Sequence, residues 1–202
     1  MKNTYISRIL LLMLLFATTN SAHASSPDDY ILKHLEKGIF IIASKKLDNT
    51  SLEKTVIYLI QHSDKGSTGI IINRPTNVTI NDAFPDTGAS AACNGILHFG
   101  GLLHTSFLFM LTKTGFTNGL FEVKDGIYFG TGEAIKIRLQ AKKTIDKTKT
   151  YAGFMSWGPD QLEEELKHNT WIMTPANTKS IFSKNTANLW QVLYNRWAGS
   201  WI

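Results

Sequence analysis

The stretch GFMSWG, residues 153–158, holds Ser156 between glycines where a strand gives way to a helix, the placement of a hydrolase nucleophile. The elbow that exposes such a serine needs the spacing G-x-S-x-G, because its strained turn admits only small neighbours. Here the spacing is one residue too long and the neighbours are Met155 and Trp157, so the geometry of an elbow is not encoded. A second stretch, HSDKGSTG at 62–69, carries the glycines, lysine and serine of a phosphate cradle. A phosphate loop runs from a strand into a helix whose first amides face the anion. This one runs from strand into strand, with Asp64 where the phosphate would sit. It reads as a hairpin whose turn uses Gly66 for a backbone conformation that other residues resist.

His62, His98 and His104 have the chemistry of zinc ligands, but metal sites announce themselves by tighter spacing such as H-E-x-x-H. No metal and no cofactor is expected. Glu163, Glu164 and Glu165 cannot act as paired carboxylates, because neighbours on a helix diverge by about 100°, and they read as a solvated face. Cys93 is the only cysteine, so no disulfide can form within the chain, and its small apolar neighbours suit burial. Lys142, Lys143, Lys147 and Lys149 form the densest basic cluster, yet Asp146 interrupts it and no aromatic residue offers a stacking platform. A nucleic-acid partner is therefore disfavoured.

These side chains are positioned by one domain behind a leader. Lys2 and Arg8, nine apolar residues from Ile9 to Ala17, and Ala22-His23-Ala24 match a cleavable export signal over 1–24. Nine residues fall short of the ~20 needed to span a bilayer, so no integral membrane span is expected after cleavage. Of 202 residues, 178 then remain, with a net charge of +3 once the leader's two bases are removed from +5. That length suits one domain. Residues 25–37 read as a leader or short helix, and 38–202 as a single folded unit. Apolar runs at 38–44, 55–62 and 68–73, with Pro75 closing the third, read as strands. Further strands are expected at 95–101, 107–112 and 149–157, with a short one in TWIMTP. A hairpin is expected around Asp125-Gly126. Helices are expected at 79–84, at 133–143, from Pro159 as a first-turn residue, and in the last segment. Thr50 to Glu53 has capping-box spacing for one helical turn. Many strands joined by short turns, with about four helices, make an α+β domain dominated by antiparallel sheet.

In this order the segments resemble the AlgH/YqgE family. The carriers are IIASKKLDNTSLEKTVIYLIQHSDKGSTGIIINRP, HFGG at 98–101, and Trp157-Gly158, Gln161-Leu162-Glu163 and Trp171. The resemblance runs from Gly38 to about Trp197 and implies a bent, barrel-like antiparallel sheet. Lys45 and Leu102 stand where the family usually has proline, Ser156 where it has glycine, and Asp160 where glycine precedes Gln-Leu-Glu. Most members look cytoplasmic and lack a leader, so export is the larger departure. The resemblance carries no settled catalytic residues. It ties together His62, Asn73, Arg74, Gly100 and Gly101 as a candidate binding set. An arginine at a strand end can hold a carboxylate or phosphate, or brace a loop. The expected function is a noncatalytic binding or accessory domain, exported to the periplasm, with an unidentified protein partner or small ligand. The alternatives are a cytoplasmic regulator and a serine hydrolase.

Overall fold

The computed structural model describes residues 27–83, 95–115, 119–140 and 147–199. The export signal, Cys93, Lys142 and Lys143 lie outside them. Ten strands form one sheet among the described residues: β1 (Ile39–Ala43), β2 (Val56–Ser63), β3 (Gly66–Ile71), β4 (Pro75–Thr79), β5 (Ile96–Phe99), β6 (Leu103–Thr112), β7 (Leu120–Lys124), β8 (Ile127–Thr131), β9 (Thr148–Trp157) and β10 (Trp171–Pro175). An antiparallel path runs β10-β1-β2-β3-β9-β6-β8-β7, while β5 joins β4 on one side and lies parallel to β9 on the other. The ten-residue β9 is the hub. Its C-terminal end pairs with β3, its N-terminal half with β5, and its other edge with β6.

The path curls until its ends approach. Lys124 on β7 pairs with Glu36 just before β1, and Lys37 Nζ donates to the Glu122 carbonyl at 3.2 Å. The result is the curled, half-barrel sheet that the resemblance implied. Six helices accompany it among the described residues: α1 (Pro27–His34), α2 (Ile80–Ala83), α3 (Gly132–Gln140), α4 (Gln161–Lys167), α5 (Thr178–Ile181) and α6 (Leu189–Gly199). β1 and most of β2 are continuous apolar runs because both of their faces are covered. Phe40, Ile41, Ile42, Ile57, Tyr58 and Leu59 are fully buried, and Trp190 of α6 donates its indole N–H to the Ala43 carbonyl at 2.8 Å.

Several local expectations need correction. Six helices stand where about four were expected; α5, capped by the Asn177 side chain, was not anticipated. β3 already ends at Ile71, and Pro75 opens β4 instead of closing β3, the first position of a strand being one where proline is tolerated. Thr50 starts no helix. The Glu53 carboxylate instead accepts from the Asn49 amide, closing a turn in which Asn49 has φ of 63°. Pro159 lies two residues before α4, outside its N-cap Asp160, which is in the left-handed region at φ 59°. The Asp125-Gly126 hairpin forms as expected, with both residues at positive φ.

Candidate functional site

The two-residue turn Asp64-Lys65 sets the register of the β2–β3 hairpin, and Gly66 supplies the positive φ, 116°. That register places His62 opposite Ser67, and His62 Nδ1 shares a 2.9 Å hydrogen bond with Ser67 Oγ. Glu163 of α4 stands behind the ring, its Oε1 3.7 Å from His62 Nε2. Serine, histidine and glutamate thus line up in triad order, a row that sequence reasoning missed. Ser67, however, is only 3% exposed, and its hydroxyl lies under α4 on the face that also carries Trp157. A nucleophile must meet its substrate, so this row is built to lock α4 onto the hairpin. Ser156 pairs with Thr68 and is therefore on the opposite face from His62. Its Oγ donates to the Ser67 carbonyl at 3.3 Å.

The glutamates of α4 are not one solvated face. Leu162 and Leu166 form its buried stripe; at 100° per residue Glu163 and Glu165 flank that stripe on either side, and only Glu164 points away. Glu164 forms an ion pair with Lys167 at 2.8 Å. Glu165 Oε2 accepts from the indole N–H of Trp157 at 3.0 Å and of Trp171 at 2.6 Å, while its Oε1 accepts from Gln161 at 2.8 Å.

Asn73 and Arg74 lie at the other end of the hairpin, six residues along β2 from His62, or about 20 Å. Asn73 Oδ1 accepts from the Val56 amide and its Nδ2 donates to the Lys54 carbonyl, both at 2.9 Å. Arg74 Nη2 donates to the Glu53 carbonyl at 3.0 Å and to Thr55 Oγ1 at 2.8 Å. These contacts brace the loop before β2, and burial pulls the guanidinium below its ordinary pKa. Arg74→Ala should fold but lose about 1–2 kcal/mol, the value of two such bonds, read as a lower urea midpoint. An unchanged midpoint would show that the bracing is idle.

Gly100 and Gly101 sit beside Arg74, since Phe99 donates its amide to the Arg74 carbonyl. Gly100 links β3 to β9, its carbonyl accepting from Ile71 and its amide donating to Ala152. A Cβ on Gly100 would stand 2.4 Å from the Gly153 carbonyl oxygen, and one on Gly101 2.1 Å from the Phe154 carbonyl carbon. Both glycines face backbone. The five-residue set is thus two groups: Asn73, Arg74, Gly100 and Gly101 together, and His62 apart. None of them lines the cavity of about 290 Å3 in the seam between β10 and β7, where Tyr30, His34, Glu36, Lys124 and Met173 stand.

The three histidines do not converge, and no group of metal-binding side chains forms among the described residues. His104, at φ 49°, stacks on Phe154, whereas His98 lies in β5 against Tyr151, ring centroids 5.4 Å apart. Burial, then the neighbouring Lys149 charge, lowers His98 to about 4, against the weaker pull of the Ile96 and Thr150 backbone, which raises it. The unfolded chain then takes up a proton near pH 6.5 that the folded chain refuses down to about 4. His98 therefore removes stability as pH falls through that window. Partial exposure of the ring limits the loss to about 1–2 kcal/mol. The melting temperature should drop between pH 7 and 5 by more in the wild type than in His98→Gln; parallel profiles would contradict it.

The most exposed part of the sheet is the first half of β6. Between Leu103 and Leu108 that strand advances five residues while β9 advances two, from Phe154 to Ala152, so the excess bulges outward. Leu103 and Phe107 stand there 44% and 61% exposed, with Leu102, just before the strand, 49% exposed. His104 joins them, edge-on to Phe107.

Comparison with known proteins agrees with this architecture. The profile of the AlgH-like family (DUF179) matches residues 40–201. A UPF0301 protein of Shewanella oneidensis is 30% identical over 167 residues, 75% of this chain and 86% of that protein. Another, from Cytophaga hutchinsonii, is 29% identical, covering 83% of this chain and 92% of its own. The solution structure of the AlgH protein from Pseudomonas aeruginosa superposes with a TM-score of 0.68 at 25% identity, over 79% of this chain and 87% of that one. A Corynebacterium diphtheriae protein, DIP2367, shares the fold at a TM-score of 0.64 and 18% identity, over 80% and 87% of the two chains. Matched along most of its length and sharing the curled sheet, the chain belongs to the AlgH-like family.

Proposed function

We propose that this chain is a noncatalytic binding or accessory domain of the cell envelope. The observation that carries the reading is the start of β6, where Leu102, Leu103 and Phe107 project together, whereas the sheet's other exposed large apolar residues, Val78, Ile96 and Phe121, are spread over β4, β5 and β7. Exposed apolar residues grouped on a raised element mark an interaction site more often than scattered ones. The inward Ser67 hydroxyl and the opposite-facing Ser156 favour binding over hydrolysis. Residues 1–24, which lie outside the family match, have the make-up of an export signal and argue for the envelope over a place on chromosomal DNA. No helix among the described residues is long and apolar enough to cross a membrane.

The test is a photo-crosslinking amino acid placed at Phe107 in the full chain in cells, with exposed Val192 on α6 as control. A discrete adduct from position 107 and none from 192 is expected. No adduct from 102, 103 or 107 in a folded protein would refute the reading. Labelling of Ser67 or Ser156 by a fluorophosphonate probe would replace it with a hydrolase.

A further inference from the structure

We infer that Lys149, Tyr151 and His98 form a site for the carboxylate of a small acid with an apolar body, independent of the β6 surface. Lys149 and Tyr151 are two apart on β9 and so share a face, and His98 is the parallel partner of Tyr151, so its side chain lies on the same side. That face is turned to the main core, where Tyr151 is fully buried. Three polar atoms here are buried without a hydrogen-bond partner: Lys149 Nζ, Tyr151 Oη and His98 Nδ1.

Native interiors rarely leave polar atoms unpaired, and an ammonium group without a counter-charge is the most costly of them. Lys149 has lost enough hydration for burial to lower it to about 8, yet it remains mostly charged at neutral pH. No carboxylate among the described residues pairs with it. Among the described residues the site holds no acceptor carrying a negative charge. A carboxylate matches Lys149 in charge and offers a second oxygen to the phenol, while His98, held neutral, adds polarity without a second positive charge.

The surroundings say what the rest of the ligand must be. Lys149 pairs across β6 with Leu111 and Tyr151 with Phe109; Phe109 stacks on Phe129 at 5.6 Å and meets Phe154 edge-on at 5.5 Å. Phe109, Phe129 and Phe154 are only partly buried, so an apolar body beside the carboxylate would lie against aromatic rings.

The test is calorimetric titration of the full chain with octanoate and 3-phenylpropionate, alongside octanamide and inorganic phosphate. Saturable binding of at least one acid is expected, with octanamide at least tenfold weaker and phosphate weaker than the acid. Lys149→Met and Tyr151→Phe should each lose affinity at least tenfold. Lys149→Met removes a buried charge that no described residue pairs with and is expected to fold, and Tyr151→Phe removes only a hydroxyl. Absence of saturation by either acid, equal binding of octanamide, preference for phosphate, or wild-type affinity in both variants would each overturn the site; the last two outcomes would leave Lys149 and Tyr151 facing an ordinary buried water or another anion.

Discussion

Gly101→Ala is expected to unfold the protein or bring it to the edge of unfolding. The new methyl would stand 2.1 Å from the carbonyl carbon of Phe154 and 2.2 Å from its oxygen. These are backbone atoms of β9, the strand that pairs with β3, β5 and β6, so no side chain can swing aside. Relief requires β9 to part from the segment joining β5 to β6. Overpacking with no escape belongs to the severe class of substitutions, about 3–5 kcal/mol, against a total stability of about 5–15 kcal/mol. Thermal unfolding by circular dichroism reads the effect, with loss of soluble protein as its extreme. A variant with the wild-type midpoint would mean that β9 and the β5–β6 connection are farther apart than described.

Glu165→Ala should be nearly as damaging, for an electrostatic reason. One carboxylate receives two indole N–H groups and a glutamine amide, and the tryptophans are 4% and 2% exposed. Truncation leaves both indole donors in a dry interface between α4, β9 and β10. Losing hydrogen bonds to a charged acceptor while stranding buried donors costs about 3–4 kcal/mol. Glu165→Gln keeps one acceptor oxygen and should lose about half as much. Urea unfolding followed by tryptophan fluorescence measures both. The order wild type, Gln, Ala is expected, and an Ala variant as stable as Gln would show that the carboxylate is not what holds the tryptophans.

How far these features can be read in the chain depends on the range of the interaction. The β2–β3 hairpin is local: a two-residue turn at Asp64-Lys65 forces His62 opposite Ser67, so that pair was present in the pattern even though it was not drawn from it. The helix α4 is local too, and a helical wheel places Glu163 and Glu165 beside the leucine stripe with Glu164 opposite. What the wheel cannot supply is the surface beneath, since Trp157 and Trp171 come from two separate strands. The curl of the sheet brings Lys124 to Glu36 across 88 positions, a closeness that no local pattern encodes. The same holds for Gly100 and Gly101, which resemble a ligand cradle in sequence and prove to face backbone. β4 escaped notice because its proline reads as a terminator, and α5 because four residues are too few to show a period.

The central claim, an exported binding domain, has a direct test in the mass of the intact protein recovered separately from periplasmic and cytoplasmic fractions of its native cells. The account predicts a periplasmic species that begins at Ser25, having lost residues 1–24. A cytoplasmic species that retains those residues would contradict it and bring a role inside the cell to the front.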